Sequence, residues 1–237
     1  MRIHQITDLH IPDVDDVSQY EHVRPNVIKM MSFIETDSPD LLVISGDMTR
    51  RDGSQTACAW LRGILPGHIE TIVIPGNHDD PSVMFEVFGP ESCANEEFCF
   101  SKQIDGWKLI FVNTHTNSLP EQQIWFLRQE ARDTQAMLFI HHPPELIGNG
   151  FMTLNQPLLN HDEVSEAIRE STISDVFCGH YHNAIDKDCD GFQLHLTPSP
   201  AFQVKLDYEK FTMEPFQPAV RVIEVDDNSI ETYLKLV

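Results

Sequence analysis

Three polar side chains follow one short apolar run in the stretch Thr71 to Asp80, which reads TIVIPGNHDD. The β-branched first half has the composition of a buried strand, and a Pro-Gly pair ends it. Asn77, His78 and Asp79 therefore enter the loop beyond the strand, where an open α/β sheet carries its ligands. An amide oxygen, an imidazole and a carboxylate together can bind a cation and move a proton. Taken alone, the stretch is equally compatible with a polar turn closed by an Asx-type hydrogen bond.

The same arrangement recurs after four other apolar runs. Asp8 and His10 follow the opening run, Asp47 follows residues 40–45, His141 follows residues 137–140, and His180 and His182 follow residues 175–178. Any one of these residues is readily explained by chance at a strand end, but the repetition is not. Because the carboxyl ends of parallel strands meet at one rim of a sheet, we expect these side chains to converge there on a metal site.

The ligand types indicate which ions are suitable. All the candidates are nitrogen or oxygen donors without a thiolate, which favours Mn, Fe, Zn or Co over copper(I). With Asn77 the candidates number seven, too many for one octahedral ion that must also hold a substrate. The sequence therefore predicts two divalent or transition-metal ions that share Asp47.

The elements that must position these residues follow from the hydrophobic pattern. Strand-like runs occupy 2–7, 40–45, 71–74, 108–113, 137–140 and 175–178, and helical periodicity marks 24–35, 55–65, 81–88, 119–131 and 163–169. This alternation predicts an α/β fold. No Gly/Ser- or Pro-rich linker divides the chain, so residues 1–237 are predicted to form a single domain. Trp125 and Phe126, on the fourth helix, are interpreted as core residues.

Composition limits the partners. Lys and Arg number 16 against 37 Asp and Glu, for a net charge of -21, which argues against duplex nucleic acid and an anionic membrane surface as partners. The five cysteines are odd in number and form no C-x-x-C pair, which favours a reducing compartment over a disulfide framework. No apolar run of membrane-spanning length occurs, and no signal-like segment follows Met1. We expect a soluble cytoplasmic protein, and the sequence leaves a homodimer open.

The ordered motifs resemble those of a known superfamily. Asp8-x-His10, Gly46-Asp47, Gly76-Asn77-His78-Asp79, His141 and Gly179-His180-x-His182 resemble the motif set of the calcineurin-like metallophosphoesterases. QITDLH near the start, LPEQQIWFL, HHPP and the TPSP-x-x-QVK stretch resemble the bacterial class III 3′,5′-cyclic-AMP phosphodiesterases in particular. The resemblance covers most of the chain. It implies a four-layer α/β/β/α sandwich with a dinuclear metal centre at the carboxyl rim of the strands, and a second sheet supplied by residues 193–197, 219–225 and 230–236.

The resemblance also implies a role for each candidate residue. Asp8, His10, Asp47 and His182 would hold one metal, and Asp47, Asn77, His141 and His180 the other. His78 would touch the substrate phosphate and assist the leaving group, acting with Asn77 and Asp47 as the catalytic residues. His141 is chosen over His142 because it comes first after its strand. Asp79 would either orient His78 or cap the next helix.

The implied reaction is hydrolysis of cyclic nucleotides, or of related small phosphodiesters, by a hydroxide that bridges the two metals. Two alternatives stay open. One is a phosphohydrolase of the same fold acting on glycerophosphodiesters, other nucleotides or phosphomonoesters. The other is a metal-binding scaffold without turnover.

Three features depart from the related families. The residue three beyond Asp47 is Arg50. Resemblance to purple acid phosphatases would require tyrosine at this position, and resemblance to protein serine/threonine phosphatases would require aspartate. Arg50 therefore argues against both of these families. The run after Gly46-Asp47 reads MTRRDG, in which Arg50 and Arg51 either steer an anionic substrate or are solvated surface residues. The stretch Phe202 to Gln217 mixes aromatic and acidic residues, and it is compatible with an active-site flap, a dimer contact or a plain loop.

Overall fold

Strands and helices alternate along the chain, and the computed structural model describes residues 1–13, 20–51, 53–214, 217–227 and 229–237. In chain order the elements are β1 (Arg2–Ile6), α1 (Val23–Asp37), β2 (Leu41–Ser45), α2 (Gln55–Ile64), β3 (Glu70–Ile74), α3 (Pro81–Phe88), α4 (Pro90–Cys93), β4 (Phe100–Ile104), β5 (Trp107–Phe111), α5 (Glu121–Glu130), β6 (Ala136–Phe139), α6 (Phe151–Asn155), α7 (His161–Arg169), β7 (Ile173–Cys178), β8 (Ile185–Asp188), β9 (Gln193–Leu196), β10 (Gln203–Val204), β11 (Met213–Glu214), β12 (Ala219–Val225) and β13 (Ile230–Leu236). The strands and helices predicted from periodicity are all present, with ends shifted by up to two residues.

Two large sheets contain most of the strands. The first has the order β13-β12-β1-β2-β3, and the second has the order β4-β5-β6-β7-β9-β8. Strands β1, β2 and β3 run parallel, as do β5, β6, β7 and β9, whereas β12, β13, β4 and β8 pair antiparallel to their neighbours. Both sheets thus have a parallel core, and β1, β2, β3, β6 and β7 end beside the site described below.

Three apolar layers hold the sheets and helices together. One lies between the first sheet and α1 to α3, one between the two sheets, and one between the second sheet and α5 to α7. The first four residues of β2 are all apolar because both faces of the strand are buried: Leu42 and Ile44 face the helices, whereas Leu41 and Val43 face the other sheet. A strand buried on both faces has no polar alternation. The four-layer α/β/β/α arrangement is confirmed.

The last two strands lie in a different sheet from the one expected. Residues 193–196 do form part of the second sheet, as β9, but β12 and β13 extend the first sheet because β12 pairs antiparallel with β1. The prediction that 219–225 and 230–236 supply the second sheet was therefore wrong. Apart from Arg221 and Glu224, strand β12 is apolar, and both its faces are buried, so its pattern fits the middle of either sheet equally well.

Helix α5 corrects a second prediction. Its Ile124 and Leu127 are buried, but Trp125 is 63% exposed, so this tryptophan is a surface residue. Trp125 is adjacent to Ile124 on the helix, and neighbouring positions point about 100° apart, away from the buried stripe. Phe126 is partly buried and packs against the apolar layer beside α5 to α7.

The state of the cysteines and the hydropathy of the helices both bear on the expectations drawn from composition. All five cysteines lie in the described part of the chain, and each is a free thiol. Among the described residues, no helix combines the length and the hydropathy needed to cross a lipid bilayer.

A cluster of charged residues crosses between the sheets, and we call Asp175, Asp186, His195 and Arg221 the inter-sheet cluster. His195 uses both ring nitrogens, one with Asp186 Oδ1 at 2.7 Å and one with Asp175 Oδ1 at 2.9 Å. Arg221, from the first sheet, is fully buried and lies 3.1 Å from Asp186 Oδ1 of the second. Burial opposes a charge on His195, but its two carboxylate partners prevail and raise its pKa.

The inter-sheet cluster continues as a chain of hydrogen bonds through the layer between the sheets. Arg221 Nε donates to Thr197 Oγ1 at 3.0 Å, and Thr197 Oγ1 donates to Gln5 Oε1 at 2.6 Å. Gln5 Nε2 then donates to Ser45 Oγ at 2.8 Å. Ser45 is the last residue of β2, two positions before Asp47, so the chain ends beside the predicted site.

Candidate metal centre

The polar residues at the strand ends come together at the boundary between the two sheets. Four residues form one group whose ligand atoms lie within 4.8 Å of one another, and three form a second: Asp8, His10, Asp47 and His182; and Asp47, His141 and His180. Asp47 belongs to both groups. We call these six residues the strand-tip cluster, and all six are buried. The two groups bring together six of the seven candidate ligands, all but Asn77.

One part of the expectation needs correction, because the cluster does not lie on the rim of a single parallel sheet. Asp8, His10 and Asp47 follow β1 and β2 of the first sheet, whereas His141, His180 and His182 follow β6 and β7 of the second. The carboxyl ends of both parallel cores point to the same end of the sandwich, so they meet across the layer between the sheets.

Backbone hydrogen bonds lock the strand ends to one another. The Asp8 amide donates to the Gly46 carbonyl at 2.9 Å within the first sheet. Across the two sheets, the His180 amide donates to Asp8 Oδ2 at 2.9 Å. The His78 amide donates to Asp47 Oδ1 at 2.9 Å, so the two carboxylates are held in place by the main chain of other motifs.

Two of the motif glycines are required by close approach. A Cβ at Gly76 would overlap the carboxylate of Asp47, and a Cβ at Gly179 would overlap the side chains of Thr7 and Asp8. Any other residue at either position would therefore displace a cluster carboxylate. The glycines that end the apolar runs thus make room for side chains from other motifs.

The cluster residues also have an unusual backbone conformation. Five of them adopt positive φ angles between 43° and 66°: Asp8, His10, Asp47, His180 and His182. Non-glycine residues rarely adopt this region, and each such residue costs of order 1 kcal/mol or more. The strand ends are therefore held in conformations that aim the side chains at one point.

Main-chain carbonyls orient three of the histidines. The pairs are His141 Nδ1 with Ser45 O at 2.9 Å, His180 Nε2 with Gln156 O at 2.8 Å, and His182 Nδ1 with Phe202 O at 3.1 Å. Each contact fixes the ring and leaves the other nitrogen for the cluster, as carbonyls do beside metal-binding histidines. Sequence reasoning missed Gln156 and Phe202 in this role, because any residue supplies a carbonyl and no side-chain pattern marks it.

Two buried polar atoms at the site have no hydrogen-bond partner within the described ranges. They are Asn77 Oδ1 and His141 Nε2. A buried polar atom without a partner costs about 1–3 kcal/mol, so such atoms need an explanation. A cation beside both supplies one. With only nitrogen and oxygen donors, shared between two adjacent groups, the site fits a pair of divalent ions.

The electrostatics of the cluster agree with a site built for positive charge. Burial opposes a charge on His141, but Asp47, whose Oδ1 lies 3.4 Å from His141 Nε2, and Asp8 raise its pKa to about 9. Burial lowers the pKa of His10 to about 3 and that of His180 to about 4. Without metal, the His141 imidazolium therefore balances two buried carboxylates, whereas His10 and His180 are neutral and available as ligands.

The structure distinguishes the roles of two residues that the sequence left open, His142 and Asp79. His142 lies outside both ligand groups, and its ring nitrogens pair with Thr114 Oγ1 at 2.8 Å and Asn117 Oδ1 at 2.9 Å. Asp79 does not cap α3; Asp80 does, by accepting hydrogen bonds from the Ser82 and Val83 amides.

Asp79 instead organises the loop after β2. It is buried, and its carboxylate accepts hydrogen bonds from the amides of Met48, Thr49 and Gly76 at 3.0–3.2 Å. Burial and the nearby Asp47 raise its pKa to about 6.

A cavity of about 480 Å³ opens above the cluster. Its lining includes Asn77 and His78 as well as Arg50 and Arg51. The guanidinium of Arg50 lies 4.1 Å from the centre of the Tyr20 ring. The described part of the stretch Phe202 to Gln217, of which 215–216 lie outside the described residues, borders the same cavity through the β10–β11 hairpin.

Comparisons with known proteins agree with this site. The family model described as Calcineurin-like phosphoesterase matches residues 1–184. A protein of Fibrobacter succinogenes named "Probable cyclic nucleotide phosphodiesterase" is 30% identical over 237 residues, covering 98% of this chain and 92% of that protein.

Other relatives carry two different substrate names. The "3',5'-cyclic adenosine monophosphate phosphodiesterase CpdA" of Escherichia coli (strain K12) is 24% identical and is matched over 95% of this chain and 85% of its own length. A "Probable glycerophosphodiester phosphodiesterase GpdQ" of Arcobacter nitrofigilis is also 24% identical, with 78% of this chain and 72% of the relative covered.

A solved structure shares the fold. The dimetal phosphatase from Danio rerio superposes with a TM-score of 0.74 at 11% identity, over 100% of this chain and 96% of that one.

Proposed function

The chain belongs to the calcineurin-like phosphoesterase family, and on that basis we propose that it is a metal-dependent phosphodiesterase that hydrolyses cyclic nucleotides of the 3′,5′-cyclic AMP type. The observation that carries this proposal is the strand-tip cluster, in which two ligand groups share Asp47. The names of the relatives from Fibrobacter succinogenes and Escherichia coli support the substrate class.

Seven residues would hold the two ions. We assign Asp8, His10, Asp47 and His182 to one ion and Asp47, Asn77, His141 and His180 to the other; this division agrees with the two ligand groups and with the unpaired Asn77 Oδ1. Bound divalent cations of this kind supply Lewis acidity for a phosphate and lower the pKa of water. The identity of the ions, among Mn, Fe, Zn and Co, is a matter for elemental analysis.

We assign His78 the task of protonating the departing alkoxide. Its main chain is held at both ends, because the His78 amide donates to Asp47 Oδ1 at 2.9 Å and its carbonyl accepts from Thr49 Oγ1 at 2.7 Å. Its ring lies in the cavity, 5.1 Å from the ring of His10 and close to the cluster. A histidine placed there is suited to general acid catalysis.

The charge of the cavity supports an anionic substrate. The protein as a whole carries a net charge of -21, which would repel a phosphodiester at long range. Arg50 and Arg51 line the cavity and place positive charge at its mouth. We propose that these two arginines attract the substrate toward the cluster, in a way that screening by salt would weaken.

We also propose that residues 1–237 form one domain. The apolar layer between the sheets supports this, because it joins Ile3 and Leu41, near the start of the chain, to Ile223 and Val225, near its end.

A substrate panel tests the proposed reaction. Protein loaded separately with Mn, Fe, Zn or Co should hydrolyse 3′,5′-cyclic AMP more efficiently, by kcat/KM, than glycerophosphoethanolamine or 4-nitrophenyl phosphate. A preference for the glycerophosphodiester would instead favour the reaction named for the Arcobacter nitrofigilis relative. Absence of turnover on every diester with both sites loaded would leave a binding scaffold.

A further inference from the structure

The cavity has two chemically different sides. His10, Asp47, His180 and His182 of the strand-tip cluster form its polar floor together with Asn77, and three phenylalanines, Phe151, Phe202 and Phe211, form a second side that we call the aromatic wall. A site that needed only to hold a small, fully polar diester would have no use for this second side.

Phe202 connects the wall to the floor. Its ring stacks on His10, with centroids 5.6 Å apart and planes 22° apart, and its centroid lies 4.4 Å from that of His182. Its carbonyl also accepts the hydrogen bond from His182 Nδ1. The position of the wall relative to the cluster is therefore fixed by both the side chain and the main chain of one residue.

Phe211 lies one ring beyond Phe202. It meets Phe202 at 5.9 Å and Phe151 at 5.6 Å, in both cases with the ring planes nearly perpendicular. It is 47% exposed, more than any other phenylalanine in the described residues. Leaving this much phenyl surface in water is unfavourable, and a ligand in the cavity would cover it.

A purely structural role does not account for Phe211. The Phe151 amide donates to the Tyr208 carbonyl at 2.7 Å, and Gly150 packs directly against the backbone of Leu206 and Tyr208. The loop between β10 and β11 is thus attached to the start of α6 by main-chain contacts. The Phe211 side chain is left as a surface that faces the cavity.

We infer that the aromatic wall is a nucleobase subsite, in which the base of the substrate stacks on Phe211 while its phosphate occupies the polar floor. This inference rests on the proposed function and adds the residues that select the substrate. A nucleotide presents a charged phosphate and a flat base separated by one ribose, and the cavity presents a polar floor and the exposed ring of Phe211, with Phe202 between them. Purines stack over a larger area than pyrimidines, so purine cyclic nucleotides are the favoured class.

A pair of cyclic diesters tests the subsite. Both 3′,5′-cyclic AMP and the 3′,5′-cyclic phosphate of methyl riboside contain the same reacting ring, but only the first has a base. In Phe211→Ala the ratio of kcat/KM for cyclic AMP to kcat/KM for the abasic diester should fall about tenfold, since stacking of one base contributes about that much affinity. Phe211→Leu keeps the apolar volume and removes the aromatic face, so it should show most of the same fall.

Trp125→Ala is the matched control, because Trp125 is exposed on α5 and does not line the cavity. Its ratio should equal that of the wild type. An unchanged ratio in both Phe211 variants would overturn the subsite, as would an equal fall for Trp125→Ala.

A binding experiment separates the failure of the subsite from the failure of the proposed function. Adenosine has no phosphate, so its contact with metal-free protein, measured by saturation transfer from protein to the adenine H2 and H8 protons, depends on the wall alone. The signal should be present in the wild type and reduced in Phe211→Ala. Wild-type protein that hydrolyses cyclic AMP but gives no adenosine signal would overturn the subsite only. Protein that binds adenosine but hydrolyses neither cyclic diester would overturn the proposed function only.

Discussion

Two buried clusters of histidines and acids connect the same two sheets, and they differ in how completely their polar atoms are paired. In the inter-sheet cluster, His195 uses both ring nitrogens, and the guanidinium of Arg221 contacts Asp186, Thr197, Leu196 and Thr232. In the strand-tip cluster, His141 Nε2 lies 3.4 Å from Asp47 Oδ1 but makes no hydrogen bond, and neither does the adjoining Asn77 Oδ1. Five strand-tip residues also have left-handed backbone.

The difference distinguishes a cluster that supports the fold from one that serves chemistry. Each unpaired buried atom and each left-handed residue costs about 1 kcal/mol or more, and a folded chain keeps such costs only where the rest of the structure enforces them. The three apolar layers and the fully hydrogen-bonded inter-sheet cluster stabilise the fold and so hold the strand-tip residues in their unfavourable conformations. We therefore expect mutations in the strand-tip region to change chemistry and mutations in the inter-sheet cluster to change stability.

The largest expected effect is that of His78→Ala on turnover. Loss of a general acid should lower kcat by about 10²- to 10⁴-fold on a diester with a poor leaving group. Metal content and the free energy of unfolding should stay close to those of the wild type, as elemental analysis and urea denaturation would show. Wild-type kcat on a poor leaving group would falsify the role of His78.

Asn77→Ala tests whether the unpaired oxygen is a metal ligand. The affinity for one of the two ions should fall by at least about tenfold, measured by competition with a chelator, since even outer contacts of a metal ligand contribute this much. The metal-free variant should be at least as stable as the metal-free wild type, because a buried oxygen without a partner has been removed. Asn155→Ala, an exposed asparagine on α6, is the control. Equal metal affinity in the two variants would contradict the assignment.

Arg221→Met tests the other side of the comparison. Removing the buried guanidinium leaves Thr197 Oγ1 and the Leu196 carbonyl without its N–H donors and leaves Asp186 with His195 as its partner, and the free energy of unfolding should fall by about 2–3 kcal/mol. The kcat of the folded, metal-loaded variant should remain within about twofold of the wild type. A large loss of kcat in folded protein would show that the hydrogen bonds from Arg221 through Thr197 and Gln5 to Ser45 control the site.

His195→Gln should give the smallest effect, visible as a change with pH. Asp175 and Asp186 raise the pKa of His195 in the folded state, so its contribution to stability is fully present below the unfolded pKa of about 6.5. That contribution is lost as the pH rises through the folded pKa. The stability difference between wild type and His195→Gln, from urea denaturation of metal-free protein, should therefore shrink from pH 6 toward alkaline pH. A difference that grows with pH would contradict the assigned charge.

The convergence of the strand-tip cluster could be predicted from the sequence because each of its residues follows a buried run at a point where local residues end the strand. The Pro-Gly pair before Asn77, and Gly46 and Gly179 before their ligands, are signals that lie within a few residues of the side chains they place. The choice of His141 over His142 also agrees with the ligand groups, because His141 reaches the first sheet through Ser45 O, whereas the His142 ring pairs with Thr114 and Asn117.

What could not be predicted depends on contacts between distant parts of the chain. The pairing of β12 with β1 joins residues more than two hundred positions apart, and nothing in the apolar pattern of 219–225 names that partner. The carbonyls of Gln156 and Phe202 are set by where α6 and the β10–β11 hairpin lie. Asp79 and Asp80 are adjacent and chemically identical, and only the folded loop decides that Asp80 caps α3 while Asp79 binds the amides after β2.

Because Asp8, His10, Asp47 and Asn77 come from the first sheet and His141, His180 and His182 from the second, a cation held by Asp47 and His141 would fasten one half of the sandwich to the other. Such an ion would be a component of the architecture as well as of the reaction. The melting temperature of the protein should accordingly rise with the free metal concentration. A chelator should weaken the contact between the two sheets before it unfolds either half of the sandwich.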